Sequence, residues 1–252
     1  MSEPAIIPGA EPLSVSGSDV GVLVVHGFTG NPATMRPLAE ALVDAGFTVE
    51  MPRLPGHGTT VEDMMTTTWD DWSATAEAAY DDLAGRCRAV VVIGLSMGGT
   101  ITAWLAARHP DVAGIVCINP AISAREPEVK EMVTMMVDAG ETITAGIGSD
   151  IADPSASEPA YEGTPLGCLL SMFGALDDLQ PQLGAITSPL LLLTSPEDHV
   201  VEPASSDHLA ATVSGPVERV SLDRSYHVAT LDYDKELIAE RTIAFVQKVT
   251  AV

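Results

Sequence analysis

Short apolar segments recur along the chain and alternate with longer segments in which apolar residues fall on one side of a helix. Four of the short segments are dominated by Val, Leu and Ile, at residues 21–25, 90–93, 114–118 and 190–194. A continuous apolar run of this length predicts a strand buried on both faces, as in a parallel sheet. Two further strands are predicted at residues 47–51 and 217–222.

The longer segments predict helices. Residues 32–45 carry apolar residues at helical spacing and are followed by Gly46, a residue type that commonly ends a helix. The other predicted helices are residues 69–83, 100–108 and 235–249. Strands and helices therefore alternate, which predicts an α/β fold with a mostly parallel central sheet, right-handed crossovers and flanking helices.

Residues 121–185 interrupt this alternation, since they contain no convincing buried strand and are rich in Met, Gly, Pro and acidic residues. Two apolar stripes at helical spacing predict two small helices within the segment. The stripes are Val129, Met132, Val133, Met136 and Val137, and then Met172, Phe173, Leu176 and Leu179. Binding sites of parallel sheets lie at the carboxyl ends of the strands. We therefore expect residues 121–185 to form a cap, or lid, over a core made of residues 1–120 and 186–252.

Composition and charge argue against some classes of function. A chain of 252 residues suits one α/β domain with a modest insertion. The net charge of -23, from 35 acidic and 12 basic residues, argues against nucleic-acid binding and against anchoring to anionic membranes, because both need basic patches. Three cysteines give no disulfide framework, and neither a signal peptide nor a membrane-spanning run is apparent. We therefore expect a cytoplasmic protein without stable membrane insertion, and the oligomeric state stays open.

The segment Gly-Leu-Ser-Met-Gly-Gly, from Gly94, lies between a predicted strand and a predicted helix. Gly-x-Ser-x-Gly in this context is typical of a nucleophile elbow, in which a serine hydroxyl stands clear of the sheet. The glycines remove side chains that would crowd a sharp turn. The following helix directs its N-terminal N–H groups toward the place where negative charge develops. Ser96 is therefore the candidate nucleophile.

A serine hydroxyl needs a base, and the base needs an acid that orients it. His227 follows the last predicted strand and Asp198 follows the strand before it, which gives the chain order serine, acid, histidine. Two backbone N–H groups should hold the developing oxyanion, and the candidates are those of Met97 and Phe28.

Other carboxylates and histidines compete for these assignments. Asp223, Asp232 and Glu197 are alternatives to Asp198 as the acid. His199 adjoins Asp198 in sequence, which is a poor geometry for a triad. The remaining histidines are expected to be structural or on the surface, and among them His26 is expected to support the loop of Phe28 by hydrogen bonds. The carboxylates and histidines have no metal-ligand spacing such as His-Glu-x-x-His.

Five motifs in order give the chain a family resemblance. They are His-Gly-Phe-Thr-Gly from His26, Leu-Pro-Gly-His-Gly from Leu54, Gly-Leu-Ser-Met-Gly-Gly from Gly94, Pro-Glu-Asp-His-Val-Val from Pro196, and Ser-Tyr-His-Val-Ala-Thr-Leu-Asp from Ser225. Together they resemble the bacterial monoacylglycerol lipase and small carboxylesterase family of α/β-hydrolases. The resemblance covers roughly residues 20–120 and 186–250 and is weakest in the insertion.

This resemblance implies the α/β-hydrolase fold and hydrolysis of carboxylic esters through an acyl-enzyme, without metal or cofactor. It assigns the catalytic serine, aspartate and histidine to Ser96, Asp198 and His227, and the oxyanion donors to Phe28 and Met97. We expect a small-molecule ester as substrate, with monoacylglycerol favoured. A general short-chain carboxylesterase, a thioesterase and a non-catalytic ligand-binding α/β-hydrolase are the alternatives. A haloalkane dehalogenase is disfavoured, because it would carry an aspartate in place of Ser96.

Overall fold

The computed structural model describes residues 4–124, 126–146 and 148–251. Its strands are β1 Leu13–Val15, β2 Val20–Val25, β3 Thr48–Met51, β4 Ala89–Leu95, β5 Gly114–Ile118, β6 Ile143–Ala145, β7 Gly163–Pro165, β8 Leu190–Thr194 and β9 Val217–Ser221. Its α-helices are α1 Pro32–Asp44, α2 Val61–Met64, α3 Trp69–Arg86, α4 Met97–Arg108, α5 Pro127–Asp138, α6 Leu166–Leu179, α7 Ala204–Thr212 and α8 Lys235–Val249. Short 3-10 helices occupy Gln180–Ala185 and Ala229–Leu231.

Seven strands form one sheet in the order β1-β3-β2-β4-β5-β8-β9. All neighbouring pairs are parallel except β1 with β3. The α/β prediction of a mostly parallel sheet flanked by helices is therefore confirmed. Strand β4 lies in the middle of the sheet, so the segment after it leaves the sheet at the centre of its carboxyl edge.

The sheet is buried on both faces, as its continuous apolar strands predict. Along β4, Val90 and Val92 pack into one core cluster, while Val91 and Ile93 pack into the other. The first cluster includes residues of α3, α4, α6 and α7, and the second includes residues of α1 and α8. The helices therefore hold the sheet rigid from both sides, which fixes the loops at its carboxyl edge.

The longest segment between neighbouring strands of the sheet runs from β5 to β8 and carries the two helices that its apolar stripes predict, α5 and α6. A two-stranded antiparallel hairpin, β6 with β7, lies between these helices. Helix α5 buries Val133 but leaves Met132 and Met135 exposed. Within the described ranges, no helix has the length and apolar character that would let it cross a bilayer.

Candidate active site

Ser96 lies at the junction of β4 and α4, with φ of 57° and ψ of -117°. A positive φ is unfavourable for a residue that carries a side chain and costs about 1–3 kcal/mol, so such a conformation persists only where the surroundings impose it. The surroundings here are backbone atoms at very close range. A Cβ on Gly94 would lie 2.0 Å from the carbonyl oxygen of Gly98, and a Cβ on Gly98 would lie 2.2 Å from that of Val25. The turn therefore requires glycine at both positions.

His227 and Asp198 follow β9 and β8, and their side chains meet. The Nδ1 atom of His227 lies 2.7 Å from Oδ2 of Asp198, and the two side chains are 8% and 1% exposed. The other carboxylate oxygen, Oδ1, accepts hydrogen bonds from the backbone N–H groups of Val200 and Val201 at 2.9 and 2.8 Å. With Asp198 acting as an acceptor on both oxygens, the Nδ1 atom of His227 is the donor. Nε2 is then the ring atom that can take up a proton.

Ser96 and His227 line the same pocket, together with Phe28. The pocket has a volume of about 640 Å³, counted to its open mouth. Its wall is largely apolar, and part of that wall comes from α6 and from the loop after Asp198; these residues are Leu169, Met172, Phe173, Val200 and Val201. A hydroxyl and a histidine thus face a largely apolar space, which suits a substrate with an apolar part.

The loop after β2 brings Phe28 close to Ser96. A Cβ on Gly27 would lie 3.3 Å from the Cβ of Ser96, so the backbone of this loop passes directly beside the serine. Met97 is the first residue of α4, and its N–H group is therefore one of those at the helix amino terminus that have no partner in the preceding turn. The two predicted oxyanion donors thus lie on opposite sides of Ser96 in sequence and near it in space.

A buried histidine supports this loop, as predicted for His26. Its Nδ1 atom lies 3.0 Å from the carbonyl oxygen of Gly27, and its Nε2 atom accepts the N–H group of Leu54 at 3.2 Å. Burial, and secondarily the nearby His57, lower the pKa of His26 well below its usual value. Burial also lowers the pKa of His57 to about 4. Both rings are therefore neutral near neutral pH, and His26 ties the loop of Phe28 to the loop of Leu54.

The competing acids have other environments. Asp232 is fully buried, and its two oxygens accept four backbone N–H groups, those of Ala152, Asp153, Tyr226 and Tyr233. Asp223 is hydrogen-bonded to Ser221 at the surface, and Glu197 is exposed. The ring of His199 contacts Asp150 and not Asp198. Among the four candidate acids Asp198, Asp223, Asp232 and Glu197, Asp198 is the one whose carboxylate lies at hydrogen-bond distance from the imidazole of His227.

Glu158 is a pocket residue that the motifs do not identify. It lies in the insertion and lines the same pocket as Ser96 and His227. Burial raises the pKa of the Glu158 carboxyl to about 7, against the opposing influence of the positive charge of His227. The insertion contains several acidic residues in no regular spacing, so the sequence offers no signal that would select this one.

The insertion also contributes Tyr161 and Asp150 to the surroundings of the site. The hydroxyl of Tyr161 donates to the carbonyl oxygen of Gly56 at 2.7 Å and accepts the N–H group of Thr59 at 2.9 Å. Its backbone N–H donates to the carbonyl oxygen of Thr29. Tyr161 therefore joins the insertion to the loops after β2 and β3.

The chain is similar in sequence to known serine hydrolases. Residues 18–234 match the family model described as Hydrolase_4, serine aminopeptidase S33. The chain is 46% identical over 246 residues to a thermostable monoacylglycerol lipase of Bacillus sp. (strain H-257), and the match covers 96% of each chain. It is 26% identical over 240 residues to a carboxylesterase of Bacillus subtilis (strain 168), covering 94% of this chain and 96% of the relative.

Solved structures show the same similarity. A structure from a study of LipS and LipT, two metagenome-derived lipolytic enzymes, superposes with a TM-score of 0.92 at 43% identity, covering 97% of this chain and 100% of the other. The monoacylglycerol lipase of Paleococcus ferrophilus superposes with a TM-score of 0.78 at 17% identity, covering 95% and 100%. At that lower identity the likeness concerns the fold.

Proposed function

The chain belongs to the Hydrolase_4 family of serine hydrolases, which has the α/β-hydrolase fold, and on this basis we propose that it cleaves monoacylglycerols through an acyl-enzyme on Ser96. The resemblance to monoacylglycerol lipases and carboxylesterases that the five motifs indicate is confirmed by the 46% identical relative. The observation that carries the proposal is the pocket that Ser96, His227 and the half-buried carboxyl of Glu158 line together with apolar side chains.

The proposed reaction has two symmetrical halves. His227 takes the proton of the Ser96 hydroxyl as its oxygen attacks the ester carbonyl, and Asp198 holds the ring in the required tautomer. The N–H groups of Phe28 and Met97 hold the oxyanion, and each such donor is worth about 100- to 1000-fold in turnover. The ester C–O bond breaks and the alcohol leaves with the proton from His227. Water, deprotonated by His227, then releases the fatty acid.

The apolar wall supports an acyl chain as the bound part of the substrate. Leu169, Phe173, Val200 and Val201 line both the pocket of Ser96 and a second, adjoining open cleft of about 1340 Å³, counted to its mouth, that also includes Val129 of α5. The two spaces therefore share one apolar boundary. Met172 adds a flexible side chain that can adapt to chains of different shape.

Glu158 supports a polyhydroxy alcohol as the leaving group. A carboxyl whose pKa lies near 7 offers a hydroxyl donor when protonated and two acceptor oxygens when ionised, so it can pair with glycerol hydroxyls in either state. A simple alkyl alcohol gives it no partner. The hydrogen bonds of Glu158 therefore favour a monoacylglycerol lipase over a general short-chain carboxylesterase or a thioesterase, since all three enzymes can use the same catalytic serine, histidine and aspartate.

We further propose that residues 121–185 act as the cap of this site. The support is that α6 contributes Leu169, Met172 and Phe173 to the pocket wall, and that Glu158 and Tyr161 reach the pocket and the loop of Phe28. The alternative to an enzyme is a non-catalytic protein that only binds a ligand. Ligand binding alone would not require the strained backbone of Ser96 or the hydrogen-bonded pair of His227 and Asp198.

The experiment compares three esters that share the lauroyl chain and differ in the alcohol: 1-monolauroylglycerol, ethyl laurate and p-nitrophenyl laurate. An aminoacyl p-nitroanilide is assayed beside them to detect peptidase activity, because the matching family is described as a serine aminopeptidase. We expect kcat/KM for the glycerol ester to exceed that for the ethyl ester by about 10-fold, the worth of one hydrogen bond to a carboxylate. Ser96→Ala should abolish all turnover.

The alternatives predict different results. Equal rates on the glycerol and ethyl esters would identify a general carboxylesterase. Absence of any Ser96-dependent turnover would favour the ligand-binding role. In the Glu158→Leu variant, which removes every hydrogen-bonding atom of the side chain, the preference for the glycerol ester should fall, while p-nitrophenyl laurate, whose leaving group has no such hydroxyls, should be cleaved at nearly the wild-type rate.

A further inference from the structure

Asp150 of the insertion lies between the two loops that carry Asp198 and His227. Its Oδ2 atom accepts the backbone N–H of His227 at 3.0 Å and the backbone N–H of His199 at 3.1 Å. Its Oδ1 atom lies 2.8 Å from Nδ1 of His199. The Asp150 side chain is 14% exposed, so these bonds form largely away from water.

One oxygen atom thus bridges the main chains of the acid and the base. His199 directly follows Asp198, so its N–H belongs to the peptide group attached to Asp198, and the N–H of His227 belongs to the residue that carries the imidazole. The side chains of Asp198 and His227 are joined by a single hydrogen bond of 2.7 Å. The bridge through Asp150 fixes the spacing of the two backbones from which these side chains extend.

Asp150 is itself held in place from the core. Its backbone carbonyl oxygen accepts the N–H of Val228 at 3.0 Å. The buried carboxylate of Asp232 accepts the N–H groups of Ala152 and Asp153, which follow Asp150, as well as that of Tyr226, which precedes His227. Each of the two segments therefore supplies a carboxylate to the backbone of the other, and Asp150 cannot shift without breaking several bonds.

We propose that Asp150 is a positioning residue for the catalytic pair, holding the loop of His227 at the distance from the loop of Asp198 that proton transfer from Ser96 requires. The proposal rests on the hydrolase function proposed above. Asp150 acts through backbone N–H groups, so the ability to accept hydrogen bonds is the property it needs. Catalytic geometry is sensitive to such support, because a displacement of about 1 Å can cost about 100-fold in rate.

The test measures kcat and KM per active site, with the sites counted by titration with a fluorophosphonate. Asp150→Ala should lower kcat per titrated serine by about 10- to 100-fold and change KM by less than about 3-fold. Asp150→Asn keeps an acceptor oxygen for the two N–H groups and should retain activity within about 5-fold. Asp153→Ala, which removes a carboxylate from the same segment with no contact to either loop, is the matched control and should behave as wild type.

Titration separates positioning from folding. A merely structural role would lower the number of titratable sites and leave kcat per site unchanged, which would overturn the proposal. So would an Asp150→Asn variant as impaired as Asp150→Ala, since charge and not the bridge would then matter. If Asp150→Ala does not fold, Asp150→Ser takes its place, because its hydroxyl is too short to bridge both N–H groups. If the wild-type protein hydrolyses no ester, the proposed hydrolase function is contradicted, and not the role of Asp150. This outcome is seen in the wild-type assay, before any variant is measured.

Discussion

The Nδ1 atom of His227 lies 2.7 Å from Oδ2 of Asp198, while Oδ1 of Asp198 accepts the N–H groups of Val200 and Val201. Both oxygens of this nearly buried carboxylate are thus hydrogen-bonded, to three donors in all. The backbone donors decide which oxygen faces the ring, and the ring in turn must donate from Nδ1. The tautomer of His227 therefore depends on the loop that carries Asp198.

Asp198→Asn should reverse this tautomer. The amide oxygen of the new side chain would be held by the N–H groups of Val200 and Val201, so its NH₂ group would face Nδ1 of His227 and force that atom to accept. Nε2 would then carry the proton and could not deprotonate Ser96. We expect kcat to fall by about 1000- to 10,000-fold, measured on 1-monolauroylglycerol.

The matched control for this substitution is Glu197→Gln, the same change at the exposed neighbouring residue. It should leave kcat within about 2-fold of wild type, as expected of a surface carboxylate. An Asp198→Asn enzyme with near-normal kcat would contradict the assignment of Asp198 as the orienting acid.

Gly98→Ala should disrupt the turn at Ser96. The added Cβ would lie 2.2 Å from the carbonyl oxygen of Val25, a backbone atom of β2, so the turn or the strand must move. We expect at least about a 100-fold loss of kcat/KM, because Ser96 and the loop of Phe28 would no longer be aligned. Gly85→Ala, in α3, meets no atom within 4 Å and should instead stabilise the fold by about 0.5–1 kcal/mol. Wild-type activity in Gly98→Ala would show that the turn tolerates a side chain.

Glu158 should make stability depend on pH. Burial raises its pKa from 4.5 to about 7 in the folded protein, so the folded state disfavours its ionisation. Below about pH 4.5 the Glu158 carboxyl is protonated in the folded and the unfolded state, so it does not lower the free energy of unfolding. The cost grows as pH rises toward 7 and is complete above it. Glu158→Gln removes this cost and should raise the free energy of unfolding at pH 8 by about 1–3 kcal/mol, with the gain shrinking toward pH 4.5.

Urea unfolding of Glu158→Gln at pH 8 and pH 5 measures this effect. Glu162→Gln, an exposed carboxyl in the same segment, is the control and should show no such pH-dependent gain. A Glu158→Gln variant that is equally or less stable than wild type at pH 8 would contradict the raised pKa.

Tyr161→Phe should loosen the attachment of the insertion to the core. The substitution removes the hydroxyl that joins Gly56 and Thr59 and leaves a buried carbonyl and a buried N–H with a lost partner. We expect a loss of about 1–3 kcal/mol in the free energy of unfolding. Tyr233→Phe, at a residue that is 43% exposed, should be close to neutral. Equal stability of the two variants in urea would show that the bridge contributes nothing.

The sheet could be predicted from the sequence because its signals are local. Residues 115–118 and 190–193 are continuous apolar runs, and the observed strands Gly114–Ile118 and Leu190–Thr194 have the predicted bounds. Helix α7 could not be predicted, because Leu209 is the one large apolar residue that it buries and no apolar face is visible in its sequence. Helix α2 spans only Val61–Met64, too short for a periodic pattern.

The same distinction applies to the site. Ser96 stands within a six-residue motif in which Gly94 and Gly98 are required by close backbone contacts, so the sequence alone indicates it as the candidate nucleophile. Asp150 meets His227 across 77 residues and Tyr161 meets Gly56 across 105, and neither lies in a segment with a recognisable motif. Their roles depend on how the insertion folds back onto the core, which no local pattern encodes.

The most direct test of the account is to react the protein with a fluorophosphonate while following hydrolysis of 1-monolauroylglycerol, and to locate the label by tandem mass spectrometry. We predict one label per chain, on the peptide that contains Ser96, with turnover lost in proportion to labelling and with no label in Ser96→Ala. Turnover that persists in the fully labelled protein, or a label on another residue that abolishes turnover, would contradict the claim that Ser96 is the nucleophile of a monoacylglycerol hydrolase.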